Sequence, residues 1–207
     1  MATLLLVRHG NTFEAGETPT FVGGKTDMKL TAAGEEQGRA VAAMIAAHDL
    51  PLGGVISGPL IRTRRFAEMI AQAASTVFTI DERLCEIDYG LWENKSSDEV
   101  KTLYGASIVE QWEKDGIWPE DMNWAPSEAK LIRNVDSLLA EQHKKLSNPK
   151  TDATRVIVTS NGILRYVYRA ITGKAPDKAA KVGTGCFCRL EAEGEGWTIK
   201  EWNAKPA

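Results

Sequence analysis

A layered α/β fold is the architecture this sequence predicts, with antiparallel character at one end. Three observations carry the expectation. Thr3-Leu4-Leu5-Leu6-Val7 and Arg155-Val156-Ile157-Val158-Thr159 are short continuous apolar runs, the pattern of strands buried on both faces. Segments with apolar residues at helical spacing lie between such runs, so strands alternate with helices. Near the C-terminus two alternating runs, 185–192 and 197–202, flank Glu193-Gly194-Glu195-Gly196 and read as a hairpin.

Taken in order, residues 3–7 form the first strand, followed by a loop rich in Gly and Thr from 16 to 27. A helix opens at Leu30-Thr31, with Thr31 as N-cap, Glu35 and Glu36 near the favourable end of the dipole, and Val41, Met44 and Ile45 on one apolar face. Gly53-Gly54-Val55-Ile56-Ser57 reads as a second buried strand. Residues 60–74 are helical, with Ile61, Phe66, Met69 and Ile70 apolar, and Phe78-Thr79-Ile80 is a third short strand. From 82 to 124 the pattern changes to turns and short helices, with Trp92, Trp112, Trp118 and Trp124 among many carboxylates. That stretch reads as a cap over the main sheet, an insertion at roughly 91–126 within a single domain spanning 1–207, and its tryptophans as packing residues. Residues 127–146 form a long amphipathic helix with Leu131, Val135, Leu138, Leu139, Gln142 and Leu146 in a stripe. The strand at 155–159 precedes a helix over 163–171.

A chain of 207 residues suits one domain and buries about 70% of its unfolded surface without disulfides or metal. Lysine and arginine number 25 against 28 acidic residues, a net charge of −3, which disfavours nucleic acid or an anionic membrane as partner. Cys85, Cys186 and Cys188 are an odd count without metal-ligand spacing, as in a reducing compartment. The first apolar run is too short for a signal peptide, and no stretch reaches the ~20 apolar residues of a membrane span. The expectation is a cytoplasmic protein.

The polar residues at the C-terminal ends of the predicted strands stand where open α/β sheets bind ligands. Arg8-His9-Gly10-Asn11-Thr12 follows the first strand, Ser57-Gly58-Pro59-Leu60-Ile61-Arg62 the second, and Ser160-Asn161-Gly162 the late one at a helix start. Two guanidiniums, an imidazole, an amide and helix N-terminal N–H groups would hold a phosphate dianion. A neutral imidazole among them is nucleophilic near pH 7. Glu86, in Cys85-Glu86-Ile87-Asp88-Tyr89-Gly90, would protonate the leaving alkoxide if burial raises its pKa. Glu82, Asp88 and Glu93 are its neighbouring rivals.

Leu6-Val7-Arg8-His9-Gly10-Asn11-Thr12 resembles the signature of the histidine phosphatase superfamily, which includes the phosphoglycerate mutases. Gly24, Asp27, Leu30-Thr31, Gly34 and Gln37 resemble the next block in type and spacing. Ser57-Gly58-Pro59-Leu60 with Arg62-Thr63 resembles the second arginine block, and Leu84, Glu86, Gly90 and Trp92-Glu93 the proton-donor block. The stretch 156–165 resembles the block that normally holds a second histidine. The blocks run in order from about residue 3 to 172, and the tail from Arg189-Leu190 to Glu201-Trp202-Asn203 is also familial in type. The resemblance implies a phosphoglycerate mutase-like three-layer α/β/α sandwich, its mainly parallel sheet carrying an antiparallel strand and a small helical cap. It also implies a histidine acid phosphatase-type hydrolase of small phosphomonoesters, working without metal or cofactor. His9 would form a phosphohistidine, Glu86 would be the acid/base, and Arg8 and Arg62 would bind the phosphoryl group.

Two positions depart from that pattern. Where the family block reads Ser-His-Gly, this chain has Ser160-Asn161-Gly162, so a neutral amide takes the place of a phosphate-binding imidazole. Asn161 is a candidate phosphate ligand and equally a candidate helix cap. Ala15 stands where many relatives place a phosphate-contacting Asn, with Asn11 or Thr12 available to compensate. His48 and His143 match no family ligand, and Arg64 and Arg65 read as a solvated helix face. The leading expectation is a phosphomonoesterase. A mutase-type phosphotransferase and a catalytically weak phosphate-ligand binding protein are the alternatives, and the acidity of 98–124 disfavours a doubly anionic substrate.

Overall fold

The computed structural model describes residues 2–47, 52–146 and 154–206. Six strands form one sheet: β1 (Thr3–Arg8), β2 (Leu52–Ser57), β3 (Phe78–Ile80), β4 (Thr154–Thr159), β5 (Phe187–Glu193) and β6 (Gly196–Ala204). Their spatial order is β3-β2-β4-β1-β5-β6. The first four are mutually parallel, while β5 runs antiparallel to both β1 and β6. The mainly parallel sheet with an antiparallel strand is therefore the observed one.

The unbroken apolar run of β1 has a simple cause. Leu5 and Val7 point to one face and meet Val41, Ile45, Phe66 and Ile70 of helices α1 (Ala32–Ala47) and α2 (Ile61–Ala73). Leu4 and Leu6 point to the other and meet Leu138, Ile163 and Val167 of α5 (Glu128–Leu146) and α6 (Asn161–Thr172). With both faces covered there is no polar side to alternate with, and the result is three layers. On α5 the buried residues are the six of the predicted stripe.

Between β3 and α5 lie 3-10 turns at Glu82–Leu84 and Gly90–Trp92, the short helices α3 (Ser97–Tyr104) and α4 (Ala106–Glu110), and a π-helical turn at Gln111–Asp115. The tryptophans here pack as expected. Trp124 stands edge-on to Trp92, Trp112 and Trp118 at 4.9–5.0 Å between centroids, and Trp92 is fully buried.

Several boundaries differ from expectation by one or two residues, the hairpin turn and the start of α6 among them. In the hairpin Glu193 and Gly196 already pair, so the turn is only Gly194-Glu195, with Gly194 at φ 58°. Helix α6 begins at Asn161 rather than 163, because the extended Ser160 is its N-cap residue. Thr31 does cap α1, its Oγ1 accepting from Gly34 N at 3.1 Å. Among the described residues no helix is long and apolar enough to cross a membrane. His48 lies outside the described residues.

Candidate active site

Because β1, β4 and β2 are parallel neighbours, their C-terminal ends open on one edge of the sheet. A cavity of about 560 Å³ lies there, and its lining includes Arg8, His9, Arg62, Glu86 and Asn161. All five residues singled out in the sequence are thus brought together, from four separate segments.

His9 directly follows β1 and is 6% exposed. Its Nδ1 lies 2.8 Å from the Gly10 carbonyl, which only accepts, so Nδ1 carries the proton. Nε2 is left with a lone pair, and it accepts from Arg62 Nε at 3.2 Å. Burial holds the imidazole pKa well below its usual 6.5, helped by the Arg62 and Arg8 charges and opposed by the Gly10 hydrogen bond. The ring is therefore neutral at pH 7, its lone pair aimed at a guanidinium.

Arg62 is 1% exposed and cannot turn away. Nη1 donates to Thr26 O at 2.8 Å, and Nη2 donates to Val22 O and Gly23 O at 3.3 and 3.2 Å. Those carbonyls belong to the Gly-rich loop, and Glu93 keeps the loop in place. Its carboxylate accepts from Gly23 N, Lys25 N, Thr26 Oγ1 and Tyr89 N. Asp88 is paired with Lys25 at 2.7 Å and Glu82 is exposed, and of the four carboxylates Glu86 is the one in the cavity lining.

Arg8 donates from Nη1 to Val182 O at 2.6 Å, while its buried Nε has no partner among the described residues. A buried unpaired N–H on a cation is costly unless a ligand takes it. Burial lowers the Arg8 pKa, opposed first by Glu86, and the group remains a cation. Glu86 is 6% exposed; Oε1 accepts from Ile87 N at 2.9 Å and Oε2 from Gly162 N at 3.1 Å. Burial raises its pKa above the usual 4.5, against the pull of those two N–H groups and of Arg62 and Arg8.

Two expectations about the start of α6 need correcting. Asn161 is not its cap: Oδ1 accepts from Val182 N at 2.9 Å across the cavity wall, leaving Nδ2 without a protein partner among the described residues. Nor are all the helix's first N–H groups available for a phosphate, since Glu86 takes that of Gly162. This requires glycine at 162, where a Cβ would stand 2.2 Å from Glu86 Oε1.

Arg65 pairs with Glu35 and Glu68 on the outer face of α2, and His143 packs edge-on to Trp197. Among the described residues no cluster of His, Cys, Asp and Glu could hold a metal ion. The sequence reading missed several lining residues. Arg165 is one, its Nε donating to Pro176 O and Nη2 to Trp112 O, both at 2.6 Å, with Cζ 3.9 Å above the Trp112 ring. It stands four residues after Asn161 on the same helix face, a spacing that would have found it. Glu113 and Lys181 come from distant segments and carry no local signal.

A sequence model of the Histidine phosphatase superfamily (branch 1) matches residues 4–205. The chain belongs to the histidine phosphatase superfamily. Curated relatives agree. The probable phosphoglycerate mutase GpmB of Escherichia fergusonii is 40% identical over 217 residues, which cover 100% of this chain and 93% of the relative. GpmB of Salmonella choleraesuis is also 40% identical, over 210 residues with the same coverage. Among solved structures, mycobacterial glucosyl-3-phosphoglycerate phosphatase superposes with a TM-score of 0.81 at 19% identity, covering 98% of this chain and 99% of that one. YhfR of Bacillus stearothermophilus superposes at 0.80 and 20% identity, covering 99% and 98%. The last two show that this chain shares their fold.

Proposed function

We infer that this member of the superfamily is a cytoplasmic phosphomonoester hydrolase acting through a phosphohistidine on His9, in a single domain whose segment 91–126 caps the cavity. The observation that carries the reading is the state of His9: a buried, neutral imidazole with its Nε2 lone pair facing Arg62. The substrate phosphoryl oxygens take over the Arg62 Nε–H and occupy the unpaired Arg8 Nε–H. Nε2 then attacks phosphorus in line, the P–O ester bond breaks, and the leaving oxygen takes the proton of Glu86. In the second displacement the Glu86 carboxylate accepts a proton from water, whose oxygen attacks phosphorus. The P–N bond breaks, orthophosphate leaves, and the lone pair returns to Nε2. Arg8 and Arg62 supply the positive charge on the equatorial oxygens, so the reading requires no metal or cofactor.

Asn161 takes the position of the second family histidine. Val182 N–H demands an acceptor there, so the amide orientation is fixed and Nδ2–H₂ is turned to donate to a phosphoryl oxygen. Ala15 lines the cavity with a methyl only; Asn11, whose Oδ1 accepts from Thr184 Oγ1, keeps its Nδ2 for the same task.

The test is a phosphomonoester panel with trapping of the acid-labile, base-stable phosphoenzyme. His9→Ala is expected to lower phosphate release by at least ~10³-fold and to form no phosphoenzyme. Unchanged release in that variant overturns the reading. The mutase reading draws support from the names of the 40% identical relatives, and direct assay of phosphoglycerate interconversion decides it.

A further inference from the structure

Besides the phosphate-end residues, the cavity lining carries further charged side chains. Two cations stand there besides Arg8 and Arg62. Arg165 is held in place by two carbonyls and the Trp112 ring, contacts that fix its direction without an anionic partner. Lys181 Nζ lies 3.3 Å from Glu113 Oε2, a pairing between the π-helical turn and the loop before β5. The lining also includes Glu14 and Glu17, both exposed. Past Thr20 and Phe21 a second hollow of about 340 Å³ adjoins the first and shares Glu113 with it. Its lining holds hydroxyls of Thr18, Thr20 and Ser97 and the carboxylate of Asp98, itself paired with Lys101, and no Lys or Arg among the described residues.

A leaving group with a carboxylate or second phosphate would meet Glu113, Glu14 and Glu17, with Lys181 already held by Glu113. Like charges a few ångström apart in a half-solvated cleft change binding severalfold. An uncharged or cationic leaving group with hydroxyls would instead find acceptors and donors in the lining.

We propose that this part of the cavity selects phosphomonoesters of uncharged or cationic, hydroxyl-bearing alcohols, and that Glu113, by holding Lys181, sets the discrimination against a second anion. The proposal rests on the hydrolase reading and names its substrate class. Lys181 and Glu113 are partly exposed, so the pair contributes little to stability and its replacement leaves the fold intact.

The test uses a matched pair, glycerol 3-phosphate and 3-phosphoglycerate, which differ by a hydroxymethyl against a carboxylate. The wild type is expected to show kcat/KM at least about fivefold higher for glycerol 3-phosphate. Glu113→Gln frees Lys181 and is expected to narrow that ratio about fivefold by raising the value for 3-phosphoglycerate. A wild-type preference for 3-phosphoglycerate, or a ratio unmoved in Glu113→Gln, overturns the proposal. Hydrolysis of neither ester leaves the hydrolase reading to the wider panel, where it fails only if no ester is hydrolysed. The proposal is then decided by calorimetric Kd values for the two esters, on the wild type and on Glu113→Gln, with the same ordering expected and the reverse ordering fatal.

Discussion

Glu86 sits between opposing influences, burial raising its pKa and two backbone N–H groups with two guanidiniums lowering it; burial prevails. His9 is displaced the other way, held neutral well below 6.5. The signs fix a pH profile. The nucleophile keeps its lone pair down to a pH well under 6.5, so the acid limb of kcat/KM lies low. The acid must be protonated, so kcat/KM declines as pH rises through the raised Glu86 pKa. Glu86→Gln is expected to abolish that alkaline limb and lower kcat/KM by about 10²–10⁴ for alkyl esters, with a much smaller loss in kcat/KM for p-nitrophenyl phosphate, whose leaving group needs no proton. A retained alkaline limb would assign the proton to another group. At Asn161 the hydrogen bond to Val182 N matters as much as the free amide, because the carbonyl of the same residue holds Arg8. Asn161→Ala is expected to cost about tenfold or more in kcat/KM, whereas Asn161→His, able to accept on one nitrogen and donate on the other, stays within about tenfold of wild type. Steady-state kinetics on both variants separates this arrangement from a purely structural Asn. Arg8, His9, Arg62 and Glu86 were legible because each stands in a short ordered block at or near a strand end. Glu113 and Lys181 were not, since their meeting across 68 residues is a product of folding alone.

The elements that carry these residues do so by close approach rather than by propensity. Helix α6 starts against Glu86 only because residue 162 has no side chain. An alanine there would favour the helix by up to about 1 kcal/mol on intrinsic grounds. Its Cβ at 2.2 Å from Oε1 would nevertheless force the carboxylate off the Gly162 N–H. Gly162→Ala is therefore expected to fold with near-native helicity by circular dichroism while losing at least about tenfold in kcat; unchanged kcat would mean that Glu86 tolerates displacement. The same principle explains the tight seam where β1 hands over to α1. Gly10 and Gly34 stand back to back, and a Cβ on Gly10 would come 2.3 Å from Gly34 O. Periodicity located α5 and its buried stripe, because an amphipathic helix writes its burial into one face. The start of α6 was misplaced by two residues, because the end of a helix is decided by tertiary hydrogen bonds that leave no periodic trace.

At the scale of the whole molecule, sheet order decides function. Placing β4 between β1 and β2 brings His9, Arg62 and Asn161 to one edge, although 53 residues separate His9 from Arg62 in the chain. A ligand that bridges those segments binds only the folded state and should stabilise it. Orthophosphate at a hundredfold excess over its Kd is expected to add about 2.7 kcal/mol and raise Tm by roughly 5–10 °C. Arg62→Gln should abolish the shift measured by differential scanning fluorimetry, and a persistent shift in that variant would place the anion elsewhere. The amino-acid sequence by itself determined the layered α/β class, both strands of the hairpin, the stripe of α5 and the identity of the phosphate-end residues. Burial periodicity and short-range order are local properties, and they are written locally. Only the tertiary structure decided the tautomer of His9, the pairing of Asn161 with Val182, the locking of Arg165 and the Glu113–Lys181 contact in the cavity lining. Each of these depends on which distant backbone or side chain comes within about 3 Å in a desolvated space, a condition that exists only once the chain has closed.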